Sequence, residues 1–247
     1  ISEVINYRNE YRLMDEPDRN VRIEAFAHFN AIQYIRPYDD NAAWLEPVGL
    51  SLSGKLRNDW SDRFNTRIVS NKRLVKFIRA NLYLKWMVNH FPDLKVAFLM
   101  RHPCAVCLSQ SRLDWEIDLH DILLVQPQLM QDFLEPFREQ IAAADTLFEK
   151  RLWMWCVENH VALSHLETGD AHLAFYESFC EEPEQEIKRL FNFYGKQWDT
   201  SVYEAMRKPS NSSKSDSAIV TGKNRVDSWM KHITDEQREL ARRMLHQ

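Results

Sequence analysis

Apolar positions follow two alternating rhythms along this chain: short continuous runs bounded by polar turns, and longer stretches at helical spacing. That alternation predicts an α/β fold, a central parallel β-sheet flanked by helices. Val4, Ile5, Tyr7 and Tyr11 begin at helix-like spacing, and Tyr11-Arg12-Leu13-Met14-Asp15-Glu16-Pro17 reads as a strand stopping at an acidic loop. Val21, Ile23, Phe26, Phe29, Ile32 and Ile35 lie on or near one stripe and predict a helix over 18–36. Residues 37–66 carry Pro37, Asp39, Asp40, Asn41, Pro47, Gly49 and Gly54 and read as loop. A strand is predicted over 73–79 and a helix over 82–88, ending before Phe91-Pro92-Asp93.

The clearest element is Leu94-Lys95-Val96-Ala97-Phe98-Leu99-Met100, a nearly unbroken apolar run that fits a strand buried on both faces. It stops at Arg101-His102-Pro103, and a helical pattern then continues to Leu113. Residues 114–150 predict two helices around Pro127 and Pro136, and 150–166 a Trp-rich amphipathic helix. Trp153 and Trp155 are two apart and cannot share a helical face, so one is assigned to the core and the other to an acceptor site. His172-Leu173-Ala174-Phe175-Tyr176 predicts a strand ending at Glu177. Pro183 to Phe193 has acids in its first turn and Gly195 beyond its end, which is helix chemistry. A Ser/Asn/Lys loop over 207–224 precedes a capped helix opening at Thr234-Asp235-Glu236-Gln237. No repeat or domain boundary interrupts the pattern, so 1–247 is read as one domain.

Composition narrows the function. Of 247 residues, 45% are hydrophobic and 28% charged, the balance of a globular protein with a sizeable core. With 32 Lys+Arg against 36 Asp+Glu, the net charge of -4 provides no basic field for nucleic acid. No apolar run approaches the ~18 residues of a membrane span. The 4 cysteines read as reduced thiols, which makes the cytoplasm the expected compartment. Cys104-Ala105-Val106-Cys107 lies beside His102, but no second ligand pair follows, so no metal is expected. The 5 glycines are too scattered to build a phosphate-cradling loop. Because the chain starts at Ile1 and not at Met, such a loop is expected upstream of it.

In α/β sheets ligands collect at the carboxyl ends of strands. Three predicted strand ends carry polar residues: Asp15-Glu16, Arg101-His102 and Tyr176-Glu177. At the second, an arginine leaves the strand, Pro103 suits the first turn of a helix, and Ser109 follows two turns later. Arginine offers a planar fork of donors matched to phosphate, and a serine hydroxyl can add one more. The plainer alternative is an arginine paired with a surface carboxylate and a solvent-facing serine.

Arg101 through Ser109, after the strand introduced by Phe91-Pro92-Asp93, resembles the 3′-phosphate-binding motif of sulfotransferases that use PAPS (3′-phosphoadenosine 5′-phosphosulfate). Other segments agree in order. Leu13-Met14-Asp15-Glu16-Pro17 resembles the Glu-Pro strand of bacterial and carbohydrate members, and Leu74-Val75-Lys76-Phe77-Ile78-Arg79 their central strand. Phe175-Tyr176-Glu177-Ser178-Phe179, with Pro183 and Phe193-Tyr194-Gly195, resembles the tyrosine-glutamate strand and its helix. Gly222-Lys223-Asn224-Arg225, Trp229 and Ile233-Thr234 resemble the closing basic loop. Phe77-Ile78-Arg79-Ala80-Asn81 lacks the histidine of animal cytosolic members, which points to the bacterial or carbohydrate type.

The resemblance implies a P-loop-NTPase-like fold and sulfuryl transfer from PAPS to a hydroxyl of a glycan, lipid or small molecule, releasing PAP. It implies cofactor contacts at Arg101, Ser109, Tyr176, Lys223 and Arg225, and catalytic roles for Glu16 as base and Lys76 as electrostatic stabiliser. Asp15 rivals Glu16, which could instead cap the segment from Asp18. Lys76 could be an ordinary ion pair, Tyr176 a core aromatic, and Lys223 and Arg225 solvated loop charges. The stretch 114–150 is expected as an acceptor-side lid. The rival readings are a nucleotide-dependent kinase and a non-catalytic nucleotide-binding scaffold, which the loop upstream would separate.

Overall fold

Among the described residues the strands fall where the apolar pattern predicts them, and both strand pairs are parallel. The computed structural model describes residues 1–111, 116–208 and 226–246. They form two compact units, one of 1–94 with 199–206, the other of 95–198 with 207–247.

In the first unit, Ser2–Ile5 (α1) precedes Arg12–Asp15 (β1), which pairs with Arg73–Lys76 (β2) from Arg12↔Arg73 to Asp15↔Lys76. Between them lie Ala42–Ser53 (α2) and Asp59–Asp62 (α3), and Leu84–His90 (α4) follows. A parallel pair needs a long crossover, and 57 residues that contain helices provide it here. The core gathers Ile23, Phe26, Phe29, Ile35, Val48, Tyr83, Trp86 and Met87. The indole N–H of Trp86, the largest of them, donates to the Asp39 carbonyl at 2.6 Å, which satisfies a buried donor.

Two expectations fail in this unit. The 18–36 stripe is no helix: only Glu24–Phe26 makes a 3-10 turn, and Val21 is 75% exposed. Ile23, Phe26, Phe29 and Ile35 reach the core through successive turns, pinned by Asn20 Nδ2 donating to the Phe29 carbonyl and Gln33 Oε1 accepting from Asn30 N–H. The stretch read as loop instead contains α2. Asn41 caps it by accepting from Ala43 N–H, and Gly54 ends it in the left-handed conformation at φ 70°. Pro47 made the segment look non-helical because it has no N–H for the Ala43 carbonyl. His28 supplies the missing donor: its Nε2 lies 2.9 Å from that oxygen while its ring stacks on Trp44.

In the second unit, Val96–Met100 (β3) pairs with Ala171–Phe175 (β4), in register from Val96↔Ala171 to Met100↔Phe175. Between them run Pro103–Ser111 (α5), Pro127–Leu129 (α6), Arg138–Ala143 (α7) and Leu147–His165 (α8). Tyr176–Glu181 (α9) and Pro183–Tyr194 (α10) follow β4. Val202–Arg207 (α11) spans the boundary between the units, and Asp235–Leu245 (α12) comes last, with the expected capping box of Thr234 and Gln237. Cys104, Cys107, Phe148, Leu152, Ile233 and Ala241 form a core cluster joining α5, α8 and α12.

β3 is less enclosed than its apolar run suggests. Phe98 is buried but Leu99 is 44% exposed, since side chains alternate faces along a strand. The two helices predicted within 114–150 are broken into π turns at His120–Leu124 and Met130–Leu134, a 3-10 turn at Glu135–Phe137, and short α6 and α7. Residues 112–115 of that stretch and its approach lie outside the described residues.

The Gly54 geometry is testable. A Cβ there would run into the Arg73 guanidinium on a backbone that disfavours side chains. Gly54→Ala is expected to lower unfolding free energy by ~1–2 kcal/mol, read from urea midpoints at unchanged slope.

Candidate active site

Parallel pairing puts the carboxyl ends of β1 and β2 side by side, so Asp15 meets Lys76 and their loops meet beyond them. Asp15 is almost fully buried, its side chain held by Lys76 Nζ at 3.0 Å from Oδ1 and by Arg63 Nη2 on Oδ2. A buried carboxylate survives only with such partners. Glu16 follows with φ 51°, a left-handed backbone that is uncommon for a residue with a Cβ, while its N–H donates to the Lys76 carbonyl at 2.8 Å. Its carboxylate lies among three guanidiniums: Arg19 at 3.3 Å, Arg63 at 3.5 Å and Arg79 at 3.6 Å. Arg63 ties this cluster together. Its Nη1 donates to the Trp60 carbonyl at 2.7 Å, and its guanidinium lies 3.8 Å from the Trp60 ring centroid.

Asp18 is buried as fully as Asp15. Its Oδ2 accepts from Arg79 N–H and from Tyr83 O–H, both at 3.2 Å, while Oδ1 is buried with no partner. Burial pushes its carboxyl up to about 6, against the pull of the Arg79 charge and those hydrogen bonds.

The second unit builds a corner where β3 and β4 end. Met100 and Phe175 are the last register pair, and just beyond it Arg101 meets the Tyr176 ring and His102 N–H the Glu177 carboxylate. The Arg101 guanidinium lies 4.5 Å from the Tyr176 ring centroid. Its Nε is buried without a hydrogen-bond partner, and no carboxylate among the described residues pairs with it. The Arg101 carbonyl accepts from Trp155 Nε1 at 3.1 Å, and His102 N–H donates to Glu177 Oε1 at 3.0 Å. The His102 ring stacks on Trp229 at 4.3 Å. Burial lowers its pKa, as does the Arg101 charge, although Glu177 opposes them.

The structure places the sequence-predicted residues as follows. Glu16 and Lys76 share the β1–β2 end with Asp15, and Arg101 and Tyr176 share the β3–β4 corner. Ser109 lies on the exposed side of α5, and Lys223 and Arg225 fall outside the described residues. Of the tryptophan pair, Trp153 is buried against Phe137, and Trp155 serves the Arg101 corner. Sequence reasoning passed over Arg63, Arg79 and Asp18, whose partners are far away in the chain and leave no local spacing signal. Cys104 and Cys107 are buried; burial pushes Cys107 up to about 12 and Cys156 up to about 11, so these thiols are packing groups. Among the described residues no group of three or more His, Cys, Asp or Glu is placed to hold a metal, and no helix is long and apolar enough to cross a membrane.

Parallel strands joined by helical crossovers make this an α/β protein, with charged residues gathered at the strands' carboxyl ends. Residues 21–247 match the family model described as sulfotransferase domain; the chain belongs to that family and is a transferase of sulfuryl groups. A solved structure, the sulfotransferase domain from the curacin biosynthetic pathway, is similar over 81% of this chain and 74% of that chain, at 14% identity and a TM-score of 0.43. A search among curated proteins returns no match.

The Asp18 environment predicts a pH dependence of stability. A carboxyl raised to about 6 from an ordinary 3.8 holds its proton more tightly when folded. Its stabilising contribution is full below about pH 4 and is lost as pH rises through about 6. The stability of the protein relative to Asp18→Asn is therefore expected to fall between about pH 4 and pH 7 in urea titrations. Parallel curves for the two proteins would contradict this.

Proposed function

We propose that the chain transfers the sulfuryl group of PAPS to a hydroxyl of a glycan, lipid or small-molecule acceptor, releasing PAP. The observation that carries this reading is Arg101: a guanidinium at a strand end, backed by an aromatic face, with a buried donor unpartnered and no described carboxylate neutralising it. Such a group suits a phosphate, which takes the planar fork of donors. Ser109 and Tyr176 are proposed as further cofactor contacts, together with Lys223 and Arg225, which lie outside the described residues. The cytoplasm, where thiols stay reduced, is the proposed compartment.

When bound, PAPS supplies an activated sulfuryl group and a phosphate leaving group. The chain's own part is positioning and electrostatics. Glu16 is proposed to accept the proton of the attacking hydroxyl and Lys76 to offset negative charge. Both are held by ion pairs to neighbours on the same strand ends, so their places are set before any ligand arrives. The left-handed backbone at Glu16 supports a functional reading, since strain of order 1–3 kcal/mol persists where surrounding structure imposes it. The stretch 114–150 is proposed as an acceptor-side lid; its Phe133 and Phe137 pack against His160, His165 and Trp153 of α8.

Calorimetric titration of PAP into the protein and Arg101→Ala tests the donor site. Removing a charged hydrogen-bonding group costs ~1.5–3 kcal/mol, so the variant should bind about 10- to 200-fold more weakly. Equal affinities would overturn the reading; binding of ATP with magnesium in place of PAP would favour a kinase, and binding of neither a scaffold. For Glu16→Gln, kcat should fall ~10²–10⁴-fold while PAP affinity stays within about twofold. A parallel loss of PAP affinity would remove Glu16 from the role of base.

A further inference from the structure

The carbonyl of Arg101 and the N–H of His102 belong to one peptide unit, which is planar and rigid. That unit is gripped from both sides by side chains of different helices. Trp155 of α8 donates its indole N–H to the oxygen at 3.1 Å, and Glu177 of α9 accepts the N–H at 3.0 Å. Neither bond belongs to the strand ladder, because β3 ends at Met100, nor to the helix, because α5 starts at Pro103. The two side chains therefore take over where regular structure stops holding the backbone. Fixing this plane sets the direction in which the Arg101 side chain leaves, and the Tyr176 ring then supports its guanidinium at 4.5 Å.

We propose that Trp155 and Glu177 are positioning residues that clamp the Arg101–His102 peptide and so preorganise the Arg101 guanidinium for its phosphate. The inference rests on the reading of Arg101 as the 3′-phosphate ligand. The clamp requires an acceptor oxygen at Glu177, since its partner there is a neutral backbone N–H. It follows that glutamine should replace it and leucine should not. Trp155 acts through a single donor, so phenylalanine should keep its volume and lose its function. The indole thereby leaves the acceptor-site role expected from sequence and serves the donor side.

Held groups bind better because less ordering remains for the ligand to impose. Loss of one clamp bond, worth about as much as an ordinary hydrogen bond, should weaken PAP binding ~10-fold. The test is a double-mutant cycle by calorimetry on the whole chain, with PAP as probe. Trp155→Phe and Glu177→Leu are each expected to weaken PAP about 10-fold, and Glu177→Gln less than about threefold. In an Arg101→Ala background, neither Trp155→Phe nor Glu177→Leu should cause further loss, because the arginine through which they act is gone. If Arg101→Ala weakens PAP while the clamp variants do not, or if their losses persist in full without Arg101, the clamp is overturned and the arginine's role stands. If Arg101→Ala leaves PAP binding unchanged, the reading of the site falls and the clamp with it. Because the two clamp residues come from separate helices, a folding failure in one variant leaves the other to decide.

Discussion

Parallel strand pairing in register is the constraint on which both charged clusters depend. In an antiparallel pair the residues after one strand lie beside those before the next. In a parallel pair both chains leave on the same side, so two loops from distant parts of the sequence emerge together. Asp15 faces Lys76 for this reason, and beyond the last pair, Met100 with Phe175, Arg101 meets Tyr176 and His102 meets Glu177. A slip of one residue would turn the strand side chains, Asp15 and Lys76 among them, to the other face.

Burial decides how each cluster handles charge. At the β1–β2 end, Asp15 and Glu16 are surrounded by Arg19, Arg63, Arg79 and Lys76, so little of their charge is left unpaired. Asp18, equally buried but with hydrogen bonds to one oxygen and no ion pair of its own among the described residues, holds its proton more tightly. The β3–β4 corner is arranged differently. Arg101 is supported by an aromatic face and by backbone hydrogen bonds, with no described counter-charge. An arginine held in place without a carboxylate keeps its electrostatic attraction for an arriving anion. That difference separates a cluster whose charges are mutually paired from one whose cation has no described counter-charge.

The aromatic content of the chain serves these arrangements as much as the core. Trp60 carries the Arg63 guanidinium, Trp155 reaches a backbone carbonyl, and Trp229 stacks on His102. Each presents a broad apolar face and one polar handle, which suits positions between the core and a charged surface.

Strand ends were legible in sequence because a parallel strand is a short apolar run and its end an abrupt switch to polar residues; Asp15, Arg101 and Tyr176 were found that way, whereas Lys76 was singled out by resemblance and its strand, expected to reach Arg79, stops at Lys76 itself. The α5, α8, α10 and α12 helices were legible from spacing and capping residues. The 18–36 stripe misled because apolar residues at three- and four-residue intervals can also reach one core through successive turns, and Pro47 hid α2 because its missing hydrogen bond is replaced by His28, fifteen positions before Ala43. Sequence alone therefore determined the α/β alternation, the strand ends, and the motif that resembles the sulfotransferases. Tertiary structure alone decided that Arg63 holds Asp15, that Asp18 is buried, and that Trp155 and Glu177 grip one peptide. Each of those depends on which distant segments meet, and contact across long separations leaves no period in the chain.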